Sequence, residues 1–358
     1  MNRYIPEKLR NFKPYKVSNE RFKLVLDANE SPFDLSDDIK RCFCDALMNT
    51  PMNRYPDASA SSLRDAFAHL YGISADHVTA GNGSDELISV IVSAFCGKDV
   101  GLAVAVPDFS MYSFYGSLCE ARIECFVKDA DMTLDLDKYA EFVKEKKCSV
   151  VMFSNPCNPT GAGISADKVR DFVKKCDALV VLDEAYMDFW DQSLIKECHE
   201  YDNLIILRTL SKFYGSAGIR LGFAVACDEL TECLRNVKSP YNVNSMTQLF
   251  GELVLAEFDY RRSEVNVLTA NTKSLYNSLC SIFKSGSDKV YPTDTNFVLV
   301  RTDSAKRIYE MLKNDGISIR YFPSLLPGDN VIDGGYLRIC TGTESDNKLL
   351  VSELKNCF

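Results

Sequence analysis

The chain reads VVMFSNPCNPTG at residues 150–161, LVVLDEAY at residues 179–186 and LIILRTLSK at residues 204–212. Each segment opens with four apolar residues and then turns polar. Runs this short, and apolar on both faces, are typical of buried parallel strands. GLAVAV at residues 101–106 and GFAVA at residues 222–226 have the same apolar character. The pattern therefore predicts a parallel sheet in the middle of the chain.

Segments with helical spacing separate these runs, as in Ser165–Cys176, where Ser165 suits the N-cap position. Strands that alternate with helices indicate an α/β fold with a mostly parallel sheet between helices. Beyond Pro240 we expect one or two long helices over residues 245–284. These are followed by strands at 296–301, 317–320 and 336–340, and by helices at 304–314 and from 344 onward. We predict a large α/β domain over residues 45–255 and a small α+β domain built from residues 1–44 and 256–358.

Composition narrows the class of protein. The chain has 358 residues, 46% hydrophobic residues and a formal net charge of −9, which is globular composition and argues against a nucleic-acid partner. The N-terminus lacks the apolar core of a signal peptide, and no apolar run has the length of a membrane span. The fourteen cysteines include no C-x-x-C pair. We therefore expect free or buried thiols in a cytoplasmic protein without a membrane partner.

Several common site motifs are absent from the sequence. It contains neither a G-x-x-x-x-G-K-[ST] phosphate loop nor a G-x-G-x-x-G motif after the first strand. The three histidines are His69, His77 and His199, and none stands at metal-ligand spacing from cysteines or carboxylates. We therefore expect no metal site.

Residues 81–87 read GNGSDEL and precede an apolar helical run. The glycines allow close approach of a ligand, and a helix N-terminus can hold a phosphate. A capped turn without a ligand explains the same residues equally well.

Polar residues follow three of the predicted strands. They are Asn155 in a turn with two prolines, Asp183, and the pair Ser211 and Lys212, with Arg220 eight residues beyond the lysine. In open α/β sheets, ligands bind at the carboxyl ends of the strands. A helix N-cap for Asp183 and a surface position for Lys212 are the alternative interpretations. The three strand ends and the GNGSDEL segment, in one order on one sheet, are more specific than any one of these features alone.

At this point the sequence resembles the fold-type I aminotransferases, which use pyridoxal 5′-phosphate (PLP), and within them the histidinol-phosphate aminotransferases. The resemblance implies a large domain with a mostly parallel seven-stranded sheet. It runs over nearly the whole chain, through these motifs: LDANESP (26–32), RYPD (54–57), GNGSDEL (81–87), NPCNPTG (155–161), DEAYMDF (183–189), RTLSKFYGSAGIR (208–220), PYNVN (240–244), TNFVL (295–299) and LRICTGT (337–343).

The resemblance also implies roles for individual residues. Lys212 is similar to the lysine that holds PLP as a Schiff base and then moves the substrate proton, and Asp183 to the carboxylate that faces the pyridine nitrogen. Asn155 and Tyr186 would donate to the 3-oxygen of PLP, and Phe109 would stack on its ring. The phosphate would be held by Gly83, Ser84, Asp85, Ser211 and Arg220. Tyr55 matches a tyrosine that reaches the cofactor of a partner subunit, which implies a homodimer.

The substrates implied are a small amino donor and a keto acid, bound by Tyr15, Asn29, Arg320 and Arg338. Packing roles for Tyr15 and Tyr55 are equally compatible with the sequence. The expected reaction is L-histidinol phosphate plus 2-oxoglutarate giving imidazole-acetol phosphate plus L-glutamate. An aromatic or broad-specificity aminotransferase and a threonine-phosphate decarboxylase are alternatives on the same scaffold, and a PLP-binding protein without turnover is a third. Phe109 and Cys157 depart from the tyrosine and asparagine common in the family, which leaves the substrate open.

Overall fold

The computed structural model describes residues 3–12, 20–327 and 334–358. The strands of these residues form a seven-stranded and a five-stranded sheet. The strands are β1 (Leu24–Leu26), β2 (Val78–Gly81), β3 (Gly101–Val106), β4 (Arg122–Val127), β5 (Val150–Ser154), β6 (Leu179–Asp183), β7 (Leu204–Thr209), β8 (Gly222–Ala226), β9 (Lys289–Val290), β10 (Phe297–Thr302), β11 (Ile317–Phe322) and β12 (Gly335–Cys340). The α-helices are α1 (Asp37–Met48), α2 (Ser61–Tyr71), α3 (Gly83–Phe95), α4 (Met111–Leu118), α5 (Leu136–Glu145), α6 (Ala166–Lys175), α7 (Asp228–Val237), α8 (Ser245–Ala256), α9 (Phe258–Ile282), α10 (Ala305–Asn314) and α11 (Glu344–Asn356).

The seven-stranded sheet has the order β2-β8-β7-β6-β5-β3-β4. The five strands β4, β3, β5, β6 and β7 are parallel, which confirms the mostly parallel sheet. The prediction of a parallel strand at residues 222–226 is wrong, because β8 runs antiparallel to both β7 and β2. The connection from Thr209 to Gly222 holds only a short 3-10 turn, whereas a parallel return usually runs through an α-helix.

Helices cover both faces of this sheet. Apolar side chains of α2, α5, α6 and α8 pack on one face, and those of α3, α4 and α7 pack on the other. The strands are consequently buried on both sides, as their sequences predict.

The smaller sheet has the order β1-β11-β12-β10-β9 and packs against α9, α10 and α11. β1, from the N-terminal segment, pairs with β11. The predicted helical stretch at 245–284 is two helices, α8 and α9, with Glu257 between them. The domain boundaries at residues 44/45 and 255/256 stay a prediction.

Three local features differ from the sequence-based expectation. Ser165 precedes α6, but its side chain makes no capping hydrogen bond; Gln192 Oε1 accepts from the Ala166 N–H at 3.1 Å instead. β2 and β4 are strands that the apolar-run criterion missed. β4 lies at the edge of the sheet, and each of its residues is exposed or partly exposed to solvent. Its sequence therefore lacks the apolar run of a central strand.

All fourteen cysteines are free thiols, as predicted. Within the described ranges, no helix combines the length and the apolar character that crossing a membrane requires.

Candidate active site

The strand register gathers the predicted site residues at one edge of the large sheet. Ser154 of β5 lies opposite Asp183 of β6, and Asp183 lies opposite Leu207 of β7. The segments that follow β5, β6 and β7 therefore begin side by side. They carry Asn155, Tyr186 and Lys212.

Asn155 is fully buried directly after β5. Its Oδ1 accepts from the Ile164 N–H at 2.7 Å, and its Nδ2 donates to the Ile164 carbonyl at 2.9 Å. These bonds fix the orientation of the amide and leave the second Nδ2 hydrogen available to a ligand.

Asp183 is buried at the end of β6. Its Oδ2 accepts from the Tyr112 hydroxyl at 2.8 Å, and its Oδ1 accepts from the Ala185 N–H at 3.0 Å. Burial raises the pKa of Asp183 to about 6, although both hydrogen bonds act in the opposite direction. No cationic side chain of the described residues forms an ion pair with it. A ligand cation would complete this site.

Tyr186 is buried three residues after Asp183. The Nδ2 of Asn29 donates to its hydroxyl oxygen at 2.8 Å, so the hydroxyl hydrogen remains available to a ligand. Burial raises the pKa of Tyr186 to about 12, which keeps the group a neutral donor. The structure thus places Asn29, expected at the substrate, directly against Tyr186.

Lys212 projects from the segment after β7. Its Nζ donates to the Ala28 carbonyl at 2.8 Å and lies 6.0 Å from the centre of the Tyr186 ring. Burial, followed by the positive charge of Arg338, lowers the pKa of Lys212 to about 8. A lysine in this state is a competent nucleophile and proton acceptor near neutral pH.

The N-terminus of α3 lies next to Arg220, which follows β7, and these groups are donors of the kind that suit an anion. α3 begins at Gly83, whose φ is +75°, and a Cβ there would lie 2.9 Å from Arg220 Nη2. Arg220 Nη1 lies 3.4 Å from Ser211 Oγ. Ser84 and Asp85 occupy the first turn of α3. Burial raises the pKa of Asp85, while the charge of Arg220 lowers it.

Phe109 and Cys157 are two of the departures from the family pattern. Phe109 packs edge-to-face against Tyr112, with ring centres 5.6 Å apart. Cys157 is buried, and its Sγ accepts from Lys128 Nζ at 2.9 Å. Lys128 also forms a buried ion pair with Asp108 at 3.3 Å. The thiol therefore ties the Asn155 turn to the loop that carries Phe109.

Arg320 on β11 and Arg338 on β12 are directly opposite each other, so their side chains share one face of the small sheet. Both guanidinium groups lie over the Phe322 ring, at 5.8 and 5.9 Å. Arg338 also donates to Asn158 Oδ1 at 2.5 Å and to the Asp27 carbonyl at 2.6 Å. These bonds bring it to the turn after β5 and close to Lys212.

The structure does not bring Tyr55 to the site of its own chain. Tyr55 is 81% exposed and stacks on Tyr241, with ring centres 4.6 Å apart. Tyr15 lies outside the described residues.

Sequence reasoning missed two features of the site. Tyr112 lies three residues after Phe109, and the family resemblance implies a role only for Phe109, as the stacking residue. Arg208 is buried beneath the site and pairs with Glu184 at 3.0 Å and with Asp188 at 2.8 Å. Both carboxylates follow Asp183 in the segment DEAYMDF, and three acidic residues within six positions are the signal that could have revealed the network.

The sequence model described as "Aminotransferase class I and II" matches residues 21–354. This chain belongs to the class I and II aminotransferase family. The histidinol-phosphate aminotransferase of Clostridium novyi (strain NT) is 37% identical over 350 residues, which cover 98% of this chain and 95% of the relative. That of Clostridium kluyveri (strain ATCC 8527) is 35% identical and covers 97% of both chains.

Among solved structures, the histidinol-phosphate aminotransferase of Sinorhizobium meliloti in complex with pyridoxal-5′-phosphate superposes with a TM-score of 0.87. It is 23% identical and covers 100% of this chain and 98% of its own. At this identity the likeness shows the fold, and the expected fold-type I architecture is confirmed. Membership in the aminotransferase family confirms that the chain is a transaminase.

Proposed function

We propose that this aminotransferase uses PLP to transfer the amino group of L-histidinol phosphate to 2-oxoglutarate, giving imidazole-acetol phosphate and L-glutamate. Two curated relatives with 37% and 35% identity over nearly the whole chain are named histidinol-phosphate aminotransferase. The observation that carries the assignment of an anionic substrate is the pair of arginines opposite each other on β11 and β12.

The described residues fit PLP. The glycine start of α3, Ser211 and Arg220 supply donors of the kind that hold a phosphate. Asp183 is a buried carboxylate without a cationic side chain as partner, and a protonated pyridine nitrogen matches it. Bound PLP supplies an electron sink for the carbanion at the substrate Cα.

The remaining steps belong to residues of this chain. Lys212 would hold the cofactor and, once displaced by the substrate amine, would accept the Cα proton at Nζ; its lowered pKa favours the neutral amine this requires. Asn155 and Tyr186 each retain one donor for the 3-oxygen of PLP. Phe109 would cover one face of the ring, and Asp183 would keep the ring nitrogen charged.

The two arginines select an anionic substrate. Because both side chains lie on one face of the small sheet, an anion bound there would meet two positive charges. A phosphate ester carries up to two negative charges, and the planar guanidinium groups match its oxygens. The same pair would bind a carboxylate of glutamate in the second half of the reaction. Asn29 would act at the substrate end through Tyr186.

The test measures the steady-state rate of glutamate formation from 2-oxoglutarate, with L-histidinol phosphate and L-phenylalanine compared as amino donors. A parallel assay measures the release of CO₂ from O-phospho-L-threonine. We expect the largest kcat/KM for histidinol phosphate and no CO₂. Arg320→Gln should lower this kcat/KM about 10-fold to 100-fold, and Arg301→Gln on β10 is the matched control. A higher kcat/KM for phenylalanine, or release of CO₂, would replace the proposal with one of its alternatives.

The same proposal includes a cytoplasmic homodimer in which Tyr55 reaches the partner's cofactor phosphate. The high exposure of Tyr55 and the fourteen free thiols support it. Mixed dimers of Lys212→Ala and Tyr55→Ala chains provide the test. If the sites are shared, a mixed dimer contains one intact site and recovers activity that both parent proteins lack; no recovery would contradict the shared site.

A further inference from the structure

Tyr112 contacts the carboxylate on which the cofactor assignment depends. It is the second residue of α4 and only 1% exposed, and it lies in the apolar cluster between that helix and the sheet. Its hydroxyl donates to Asp183 Oδ2 at 2.8 Å across 71 positions of sequence. Burial raises the pKa of Tyr112 above its ordinary value, so the hydroxyl stays a donor throughout the working pH range.

The charges around Asp183 make this hydrogen bond important. The negative charges of Asp108, from the loop before α4, and of Asp85, from α3, also disfavour the ionisation of Asp183. The donors that oppose them are the Tyr112 hydroxyl and the Ala185 N–H. Burial and the two like charges therefore compete with these two donors, the ones that the described part of the chain supplies. Together these influences raise the pKa of Asp183 to about 6, so that its ionisation falls close to neutral pH.

We propose that Tyr112 is a positioning residue that keeps Asp183 ionised and holds its carboxylate toward the pyridine nitrogen of PLP. The hydroxyl donates to the charged form of the acid and so favours that form. It also fixes the rotation of the carboxylate, because Oδ2 is tied to α4 while Oδ1 is tied to the backbone. The inference rests on the proposed function for its cofactor, but the contact itself belongs to this chain alone.

The experiment compares the wild-type protein, Tyr112→Phe and Tyr139→Phe. Tyr139 is a matched control, since it is fully buried and its hydroxyl has no hydrogen-bond partner in the described part of the chain. The first readout is the pH at which Asp183 ionises in the full chain freed of cofactor. Infrared difference spectroscopy monitors this ionisation. The carboxyl band of Asp183 is identified by its loss in Asp183→Asn. The second readout is the Kd for PLP from a spectral titration.

We expect Tyr112→Phe to raise the ionisation pH of Asp183 by about one to two units and to weaken PLP binding about tenfold or more at pH 8. Tyr139→Phe should leave both values unchanged. An unmoved ionisation in Tyr112→Phe, or an equal change in both variants, would overturn the inference. If the wild-type protein takes up no PLP, the proposed function fails along with the cofactor half of the inference. If it binds PLP and Asp183 does not respond to Tyr112→Phe, this inference alone fails.

Discussion

Replacing Arg208 by methionine tests the network that fixes the segment carrying Asp183 and Tyr186. Arg208 lies on β7, and its guanidinium contacts Glu184 at 3.0 Å and Asp188 at 2.8 Å. These three side chains are at most 5% exposed. Arg208→Met would leave two buried carboxylates without their cation.

The size of the effect follows from this burial. Removing one partner of a buried ion pair costs about 3–5 kcal/mol, because the charge left behind is neither paired nor solvated. The exposed pair of Lys348 and Glu344 gives the contrast, with both side chains about three-quarters exposed. Solvent screens such a pair, so Lys348→Met should change the free energy of unfolding very little.

The effect should also depend on pH with a definite sign. Burial raises the pKa of Glu184 from 4.5 to about 7, and Arg208 is the main influence that lowers it. Without Arg208 the pKa rises further. A group whose pKa is raised in the folded state adds stability at low pH and loses it as pH rises through the folded value. The loss in the free energy of unfolding caused by Arg208→Met should therefore be smaller at pH 5 than at pH 8.

The assay is urea unfolding of cofactor-free protein at both pH values, with activity per folded molecule measured in parallel. A triple variant of Arg208→Met, Glu184→Gln and Asp188→Asn carries no buried charge and should recover most of the stability. The reasoning would be refuted if Arg208→Met lowered the free energy of unfolding by less than about 1 kcal/mol, or if it lowered it equally at pH 5 and pH 8.

Three further outcomes are expected. Lys212→Ala should abolish turnover, and wild-type kcat should rise with pH toward about 8, because the Lys212 amine can lose its proton only after the substrate has displaced it; turnover in the alanine variant, or a kcat that does not change with pH, would contradict the role given to Lys212. Arg220→Ala should raise the Kd for PLP about 10-fold to 100-fold by removing a charged phosphate donor, whereas Arg170→Ala on α6 should leave the Kd unchanged. Cofactor-free protein should lose stability as pH rises from about 4 to 6, since burial raises the pKa of Asp183, and a urea midpoint with the same pH dependence in Asp183→Asn would contradict this cause.

Much of the site could be read from short-range sequence. Asn155, Asp183 and Lys212 each follow an apolar run, and parallel strands bring such positions to one edge of a sheet. The same reasoning failed for β8, because the direction of a strand depends on the length and packing of its connection. It also failed for β4, since an edge strand is half-solvated and does not need to be apolar.

The sequence by itself therefore determined the α/β class, the strand ends and the residue types available at each end, since these follow from local burial patterns. Only the tertiary structure decided which distant side chains meet. Asn29 contacts Tyr186 from 157 positions away, Arg338 contacts Asn158 from 180, and Tyr112 contacts Asp183 from 71. Such pairs leave no periodic signal, because a hydrogen bond between remote segments depends on how helices and sheets pack and not on the spacing of residues along the chain.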